Sequence, residues 1–284
     1  MLKLVFAGIC WLMALVSFGQ NVPTDTLWKN EGSVYNVNPW ISGSIALVGL
    51  YTNATGLKRL RKLPLISEER LNRLNEDDLI GLDRIALRQD PTKVSTDKAQ
   101  RISDLLLYSG ALSPVILVAD RSIRREWLDV TLMYLETQAV TSNFYTWGPL
   151  GPSIVERLRP AAYYTELPLE EREAGNNRNS FYSGHVASTA TGWFFVARVF
   201  SDFHPELGGK KWLLYGLAAI PPTIVGINRV RALRHFPTDT IIGGIIGATV
   251  GVLIPSIHKR SKGHLQVGAA YDPEVKGVAL GWRF

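Results

Sequence analysis

Two short stretches of this 284-residue chain concentrate side chains able to hold an oxyanion. The first holds Arg157, Arg159 and Pro160 and then NSFYSGHVAST, which contains Ser183, Gly184 and His185. The second is NRVRALRHFPTDT, with Arg229, Arg231, Arg234, His235 and Asp239. Two of the chain's five histidines fall here. A guanidinium is a fixed fork of donors matched to phosphate oxygens. Ser183 and Gly184 stand where the first turn of a helix would begin, and free backbone N–H groups there favour an anion. Pro237 reads as the first residue of a further helix. Asp239, one turn beyond His235, can accept from one imidazole nitrogen, which fixes the tautomer and leaves the other as nucleophile. His185 is then placed to give a proton to a departing oxygen.

Other chemistries lack their residues. No Cys or His pair has zinc-like spacing, so neither a metal nor another cofactor is expected. No glycine-rich loop ends in Lys-Ser or Lys-Thr, and Ser183 lacks the surroundings of a hydrolase elbow.

The same residues resemble the type 2 phosphatidic acid phosphatase superfamily, which shares its helical fold with vanadium-dependent haloperoxidases. That family carries Lys, six residues, Arg-Pro; then Pro-Ser-Gly-His; then Ser-Arg, five residues, His, three residues, Asp. Arg159-Pro160 matches the end of the first motif. Tyr182-Ser183-Gly184-His185 matches the second, with Tyr for Pro. Asn228-Arg229, His235 and Asp239 match the third, with Asn for Ser and both spacings kept. The resemblance covers roughly residues 100–257. It implies a metal-free, two-step phosphoryl transfer: His235 attacks phosphorus, Asp239 holds His235, and His185 protonates the leaving group and then activates water. Arg159, Arg229, Ser183 and Gly184 would bind the phosphate. The substrate would be a phosphorylated lipid: polyprenyl diphosphate, phosphatidate, phosphatidylglycerol phosphate or a lipid A phosphate. Pro152 stands where the family has its lysine, so one cation is missing from its usual place. Arg157 and Arg231 are candidates to replace it, and weak or absent turnover is the other consequence. A vanadate-dependent haloperoxidase-like enzyme and a non-catalytic phospholipid-binding membrane protein are the alternatives.

These residues need elements to carry them, and the apolar runs supply those. Ile102–Ala119, Leu128–Leu150, Val186–Phe203, Trp212–Asn228 and Thr240–Ile257 are each near the lower limit for a spanning helix, about 17–20 residues. Trp40–Leu57, broken by Gly43, Gly49 and Gly56, reads as an interfacial, half-inserted or spanning segment. The expected fold is all-α, a membrane bundle of five or six spanning helices. Arg121, Arg124 and Arg125, then Lys210 and Lys211, then Lys259, Arg260 and Lys262 fall on one side of alternating spans. The positive-inside rule makes that side cytoplasmic. Both oxyanion-binding stretches then face the periplasm or exterior of a bacterial-type inner membrane.

Composition agrees with this plan. The chain is 46% hydrophobic, with eight Trp, ten Tyr and ten Phe, so it is not disordered. Its net charge of +6 sits in short clusters between uncharged runs, a texture of membranes rather than nucleic acid. Residues 1–19 read as a signal peptide holding the single cysteine, Cys10. Residues 20–101 form an N-terminal region in which Leu71, Leu74, Leu79, Leu82 and Ile85 predict one or two amphipathic helices. Residues 102–257 form the phosphatase-like domain. Residues 258–284 form a tail with a β-hairpin pattern and a turn at Asp272-Pro273. Membrane lipids are the expected surroundings, and oligomeric state is not legible.

Overall fold

A computed structural model describes residues 33–260, 265–272 and 275–282. The expected signal peptide and Cys10 lie outside these residues. Ten α-helices occur among the described residues: α1 Pro39–Leu60, α2 Glu68–Asn72, α3 Lys93–Leu112, α4 Arg121–Arg125, α5 Trp127–Trp147, α6 Leu169–Glu173, α7 Gly184–Phe203, α8 Lys211–Ala218, α9 Ile220–Arg231 and α10 Pro237–His258. Strands β1 Leu265–Asp272 and β2 Val275–Trp282 pair antiparallel.

The fold is an all-α membrane bundle. Three stretches are long and apolar enough to cross a membrane by length and composition: Lys93–Ala119, Pro205–Arg231 and Pro237–His258. α1, α5 and α7 have 22, 21 and 20 residues, roughly 30 Å each at about 1.5 Å per residue. α7 packs most extensively on α10, and α1 on α5.

α1 is the segment expected to be interfacial, half-inserted or spanning. Just before it, the Asn36 N–H donates to His258 O at 2.8 Å, at the far end of α10. Leu60 and Arg61 at its other end line the cavity described below. α1 therefore runs the whole height of the bundle. The glycine that interrupts its apolar pattern makes this possible: a Cβ at Gly49 would stand 2.7 Å from that of Ala139 on α5. Asn143 uses the closeness, donating to Gly49 O at 2.7 Å.

Residues 63–92 differ from the expected amphipathic helices. The helical part is only Glu68–Asn72, followed by 3-10 turns at Glu76–Asp78 and Asp83–Arg88. Asn75 caps the first turn with its side chain and stops propagation. Leu71 is buried, while Leu82 and Ile85 are exposed. The helix expected to begin at 102 starts at Lys93, so α3 crosses the boundary placed at 101 and 102.

One end of the bundle collects the basic clusters. His204 Nε2 lies 2.9 Å from Asp120 Oδ2, and Lys259 Nζ donates to Asp202 at 2.7 Å. These contacts put the segments holding Arg121, Lys210 and Lys259 together. The oxyanion-binding stretches occupy the opposite end.

Candidate active site

Local folding rules place each side chain. α9 ends in a Schellman motif: the Arg234 N–H donates to Arg229 O at 3.0 Å and the Leu233 N–H to Val230 O at 3.0 Å. Leu233 takes the left-handed conformation this requires, with φ 56°. The turn brings Arg229, Arg234 and His235 to one place. α10 starts with Pro237, as its sequence predicts, and the Asp239 carboxylate accepts from the Phe236 N–H at 2.8 Å. Gly184 opens α7 with Ser183 as its N-cap and His185 in the first turn.

Arg159, Gly184, His185, Arg229, Arg234 and His235 line one cavity of about 480 Å³. Both histidines thus reach a common space although they are 50 positions apart. Arg159 and Arg229 are buried, yet Nε and Nη1 of Arg159 and Nε of Arg229 have no hydrogen-bond partner among the described residues. Ser183 Oγ is also buried and unpartnered, although Ser183 itself does not line the cavity. Buried charged donors left unpaired are expensive. A bound tetrahedral anion would satisfy them with charge-assisted bonds. Burial first, then the neighbouring Arg234 charge, pushes the Arg159 guanidinium down to about 10.

His235 differs from expectation in one bond. Its Nδ1 donates to the Ser180 carbonyl at 2.6 Å and lies 4.0 Å from Asp239 Oδ2. The tautomer is fixed, but by a backbone carbonyl, and Nε2 remains open. Burial and the charges of Arg229 and Arg159 hold the imidazole pKa well below 6.5. Asp239 works one step back: it accepts from Ser180 Oγ at 2.6 Å and pairs with Arg157 at 2.5 Å. The physical reason is crowding of acceptors. The carboxylate already serves Phe236, Ser180 and Arg157, and the Ser180 carbonyl is nearer the ring.

Neither candidate for the missing lysine reaches the cavity. Arg157 is clamped by Asp83 and Asp239, each at 2.5 Å, and stacks on Phe236 at 4.4 Å. Arg231 lines a separate apolar groove across α7. Arg234 lines the cavity instead. Sequence reasoning also missed Asp83, a fully buried carboxylate that accepts from the Thr238 N–H at 3.0 Å and ties residues 63–92 to the start of α10. It missed Ser180 as well, whose proximity to Ser183 was the available signal. Glu136, an acid inside a helix, pairs with His258 at 3.0 Å at the far end of the bundle.

At one end of this all-α bundle, arginines and two imidazoles line a single cavity. Comparison with known families matches residues 127–262 to the PAP2 superfamily. Phospholipid phosphatase 1 of Rattus norvegicus is 35% identical over 89 residues, 30% of this chain and 30% of that protein. The match therefore spans under a third of that relative's length. A solved transmembrane PAP2-type phosphatidylglycerolphosphate phosphatase from Bacillus subtilis aligns over 76% of this chain and 94% of its own. The TM-score is 0.42 and the identity 21%.

Proposed function

We propose that this protein is an integral membrane lipid phosphate phosphatase working through a phosphohistidine. His235 Nε2 attacks phosphorus as the bond to the leaving oxygen breaks, and His185 protonates that oxygen. Water, deprotonated by His185, then displaces His235 and releases inorganic phosphate. Arg159, Arg229 and Arg234 and the start of α7 at Ser183 and Gly184 stabilise the equatorial oxygens. Stabilisation of this kind is commonly the largest catalytic effect. The observation that carries the reading is the set of buried, unpartnered arginine donors that share one cavity with His235. The third arginine answers the absence of a lysine at Pro152. No step requires a metal. The substrate is drawn from polyprenyl diphosphate, phosphatidate, phosphatidylglycerol phosphate and lipid A phosphates, presented from the bilayer.

The basic clusters at the end opposite the cavity support a cavity facing the periplasm or exterior of a bacterial-type inner membrane. A reporter fused after Lys262 should then stay cytoplasmic. The activity test is phosphate release from those four lipids with EDTA present. Release that survives EDTA and disappears in His235→Ala supports the reading. Release abolished by EDTA, or equal in wild type and His235→Ala, refutes it.

A further inference from the structure

We propose that Gln100 and Asp104, one turn apart on α3, form a proton-positioning relay that links His185 to Arg229. The inference rests on the reading of His185 as the acid and base of the reaction. His185 Nε2 lies 3.0 Å from Asp104 Oδ1. An acceptor there places the ring proton on Nε2 and leaves Nδ1 as the second nitrogen of a ring that lines the cavity. Gln100 Nε2 donates to both Asp104 oxygens, at 2.8 and 2.9 Å. Its Oε1 accepts from Arg229 Nη1 at 2.8 Å. The amide can bridge in only this sense, since the reverse would set oxygen against carboxylate and NH₂ against guanidinium. One helix outside the three motifs therefore orients two groups of the candidate site.

The charged groups around His185 make the carboxylate matter. Burial first, then Arg229 from α9 and Arg159 from the segment before Pro160, disfavour a protonated ring, and His235 lines the same cavity. Asp104 from α3 opposes them. Holding Nε2–H, it stabilises the imidazolium whose Nδ1–H is passed to the leaving oxygen as that oxygen takes the electron pair of the broken P–O bond. In the second step the neutral ring takes a proton from the attacking water at Nδ1, and the P–N electron pair returns to His235 Nε2. Asp104 acts through His185 and is a positioning residue.

The test compares two leaving groups in detergent micelles. Dioleoyl phosphatidate releases an alkoxide that needs a proton; p-nitrophenyl phosphate releases a phenolate that does not. Asp104→Asn should lower kcat on phosphatidate by about 100-fold, the scale of lost general-acid catalysis. KM should stay nearly constant, the loss on p-nitrophenyl phosphate should be only about threefold, and Asp104→Glu should recover part of the rate. Equal losses on both substrates, or no loss on either, overturn the relay. A second measurement stands apart from turnover: the NMR titration of His185. Its midpoint should fall by roughly 1–2 units in Asp104→Asn, because an opposite charge has gone. An unchanged midpoint overturns the relay. A wild type inactive on every phosphate substrate refutes the phosphatase reading instead, and the titration then decides the relay alone.

Discussion

His235 and Asp239 stand one helical turn apart but do not share a hydrogen bond. Their nearest atoms are 4.0 Å apart, and Ser180 bridges them, its carbonyl taking the Nδ1 proton and its hydroxyl binding the carboxylate. Loss of the acid therefore disturbs the nucleophile indirectly. Asp239→Asn should reduce kcat by about 100-fold, the usual cost of a small misplacement, while His235→Ala should abolish phosphohistidine formation. Steady-state rates and acid-quench trapping of the labelled intermediate measure both. An Asp239→Asn protein as dead as His235→Ala would contradict the bridging role.

pH dependence follows from the direction of two shifts. His235 is held neutral below 6.5 by burial and by Arg229 and Arg159. A lowered imidazole pKa keeps the nucleophile unprotonated as pH falls through 6.5. The acid limb of kcat/KM, which reports the free enzyme, should lie below that value. Arg229→Gln should move the limb upward by removing a repelling charge. At the other extreme, burial pushes the Arg159 guanidinium down to about 10, so inhibition by inorganic phosphate should weaken as pH rises through that region.

Arg234 is expected to carry the load of the absent lysine. Arg234→Ala should lower kcat/KM by about 100-fold or more, the cost of a lost oxyanion donor. Arg231→Ala, whose side chain faces another groove, should change it little. If the two variants behave alike on phosphatidate, the assignment of Arg234 is wrong.

The clamp of Asp83 on Arg157 and Thr238 is a stability device. Asp83→Ala should destabilise the detergent-solubilised protein by roughly 3 kcal/mol, the lower end for breaking a buried ion pair. Arg157 keeps Asp239 as its other partner, which is why the low end applies. The thermal midpoint with and without saturating phosphate measures the loss.

Close packing of α7 on α10 needs a missing side chain. A Cβ on Gly247 would press into the Ala187 carbonyl. Gly247→Ala should cost about 1–3 kcal/mol by overpacking, read as a lower thermal midpoint. The neighbouring Gly244→Ala, whose Cβ would stand 3.6 Å from Val186, should be tolerated.

Much of this protein is local in origin. Apolar runs bounded by charges define long helices because the chain must satisfy its backbone internally in lipid. Pro237 opens α10 and Ser183-Gly184 opens α7, since helix starts depend on a few adjacent residues. The oxyanion-binding character of Arg159, Arg229, His185 and His235 follows from residue type and spacing. Contacts across the fold lie beyond that reach. Asp104 is a single acid within the apolar run 102–119, and nothing local says that α3 sets it beside His185, 81 positions away. Arg157 has the chemistry of a phosphate ligand, but Asp83 and Asp239 claim it from opposite directions in sequence. α1 looked too interrupted to traverse the bundle until α5 supplied the surface that its glycine fits. Composition and spacing decide which groups are available; packing decides which of them are already paired, and so which remain free to meet a substrate.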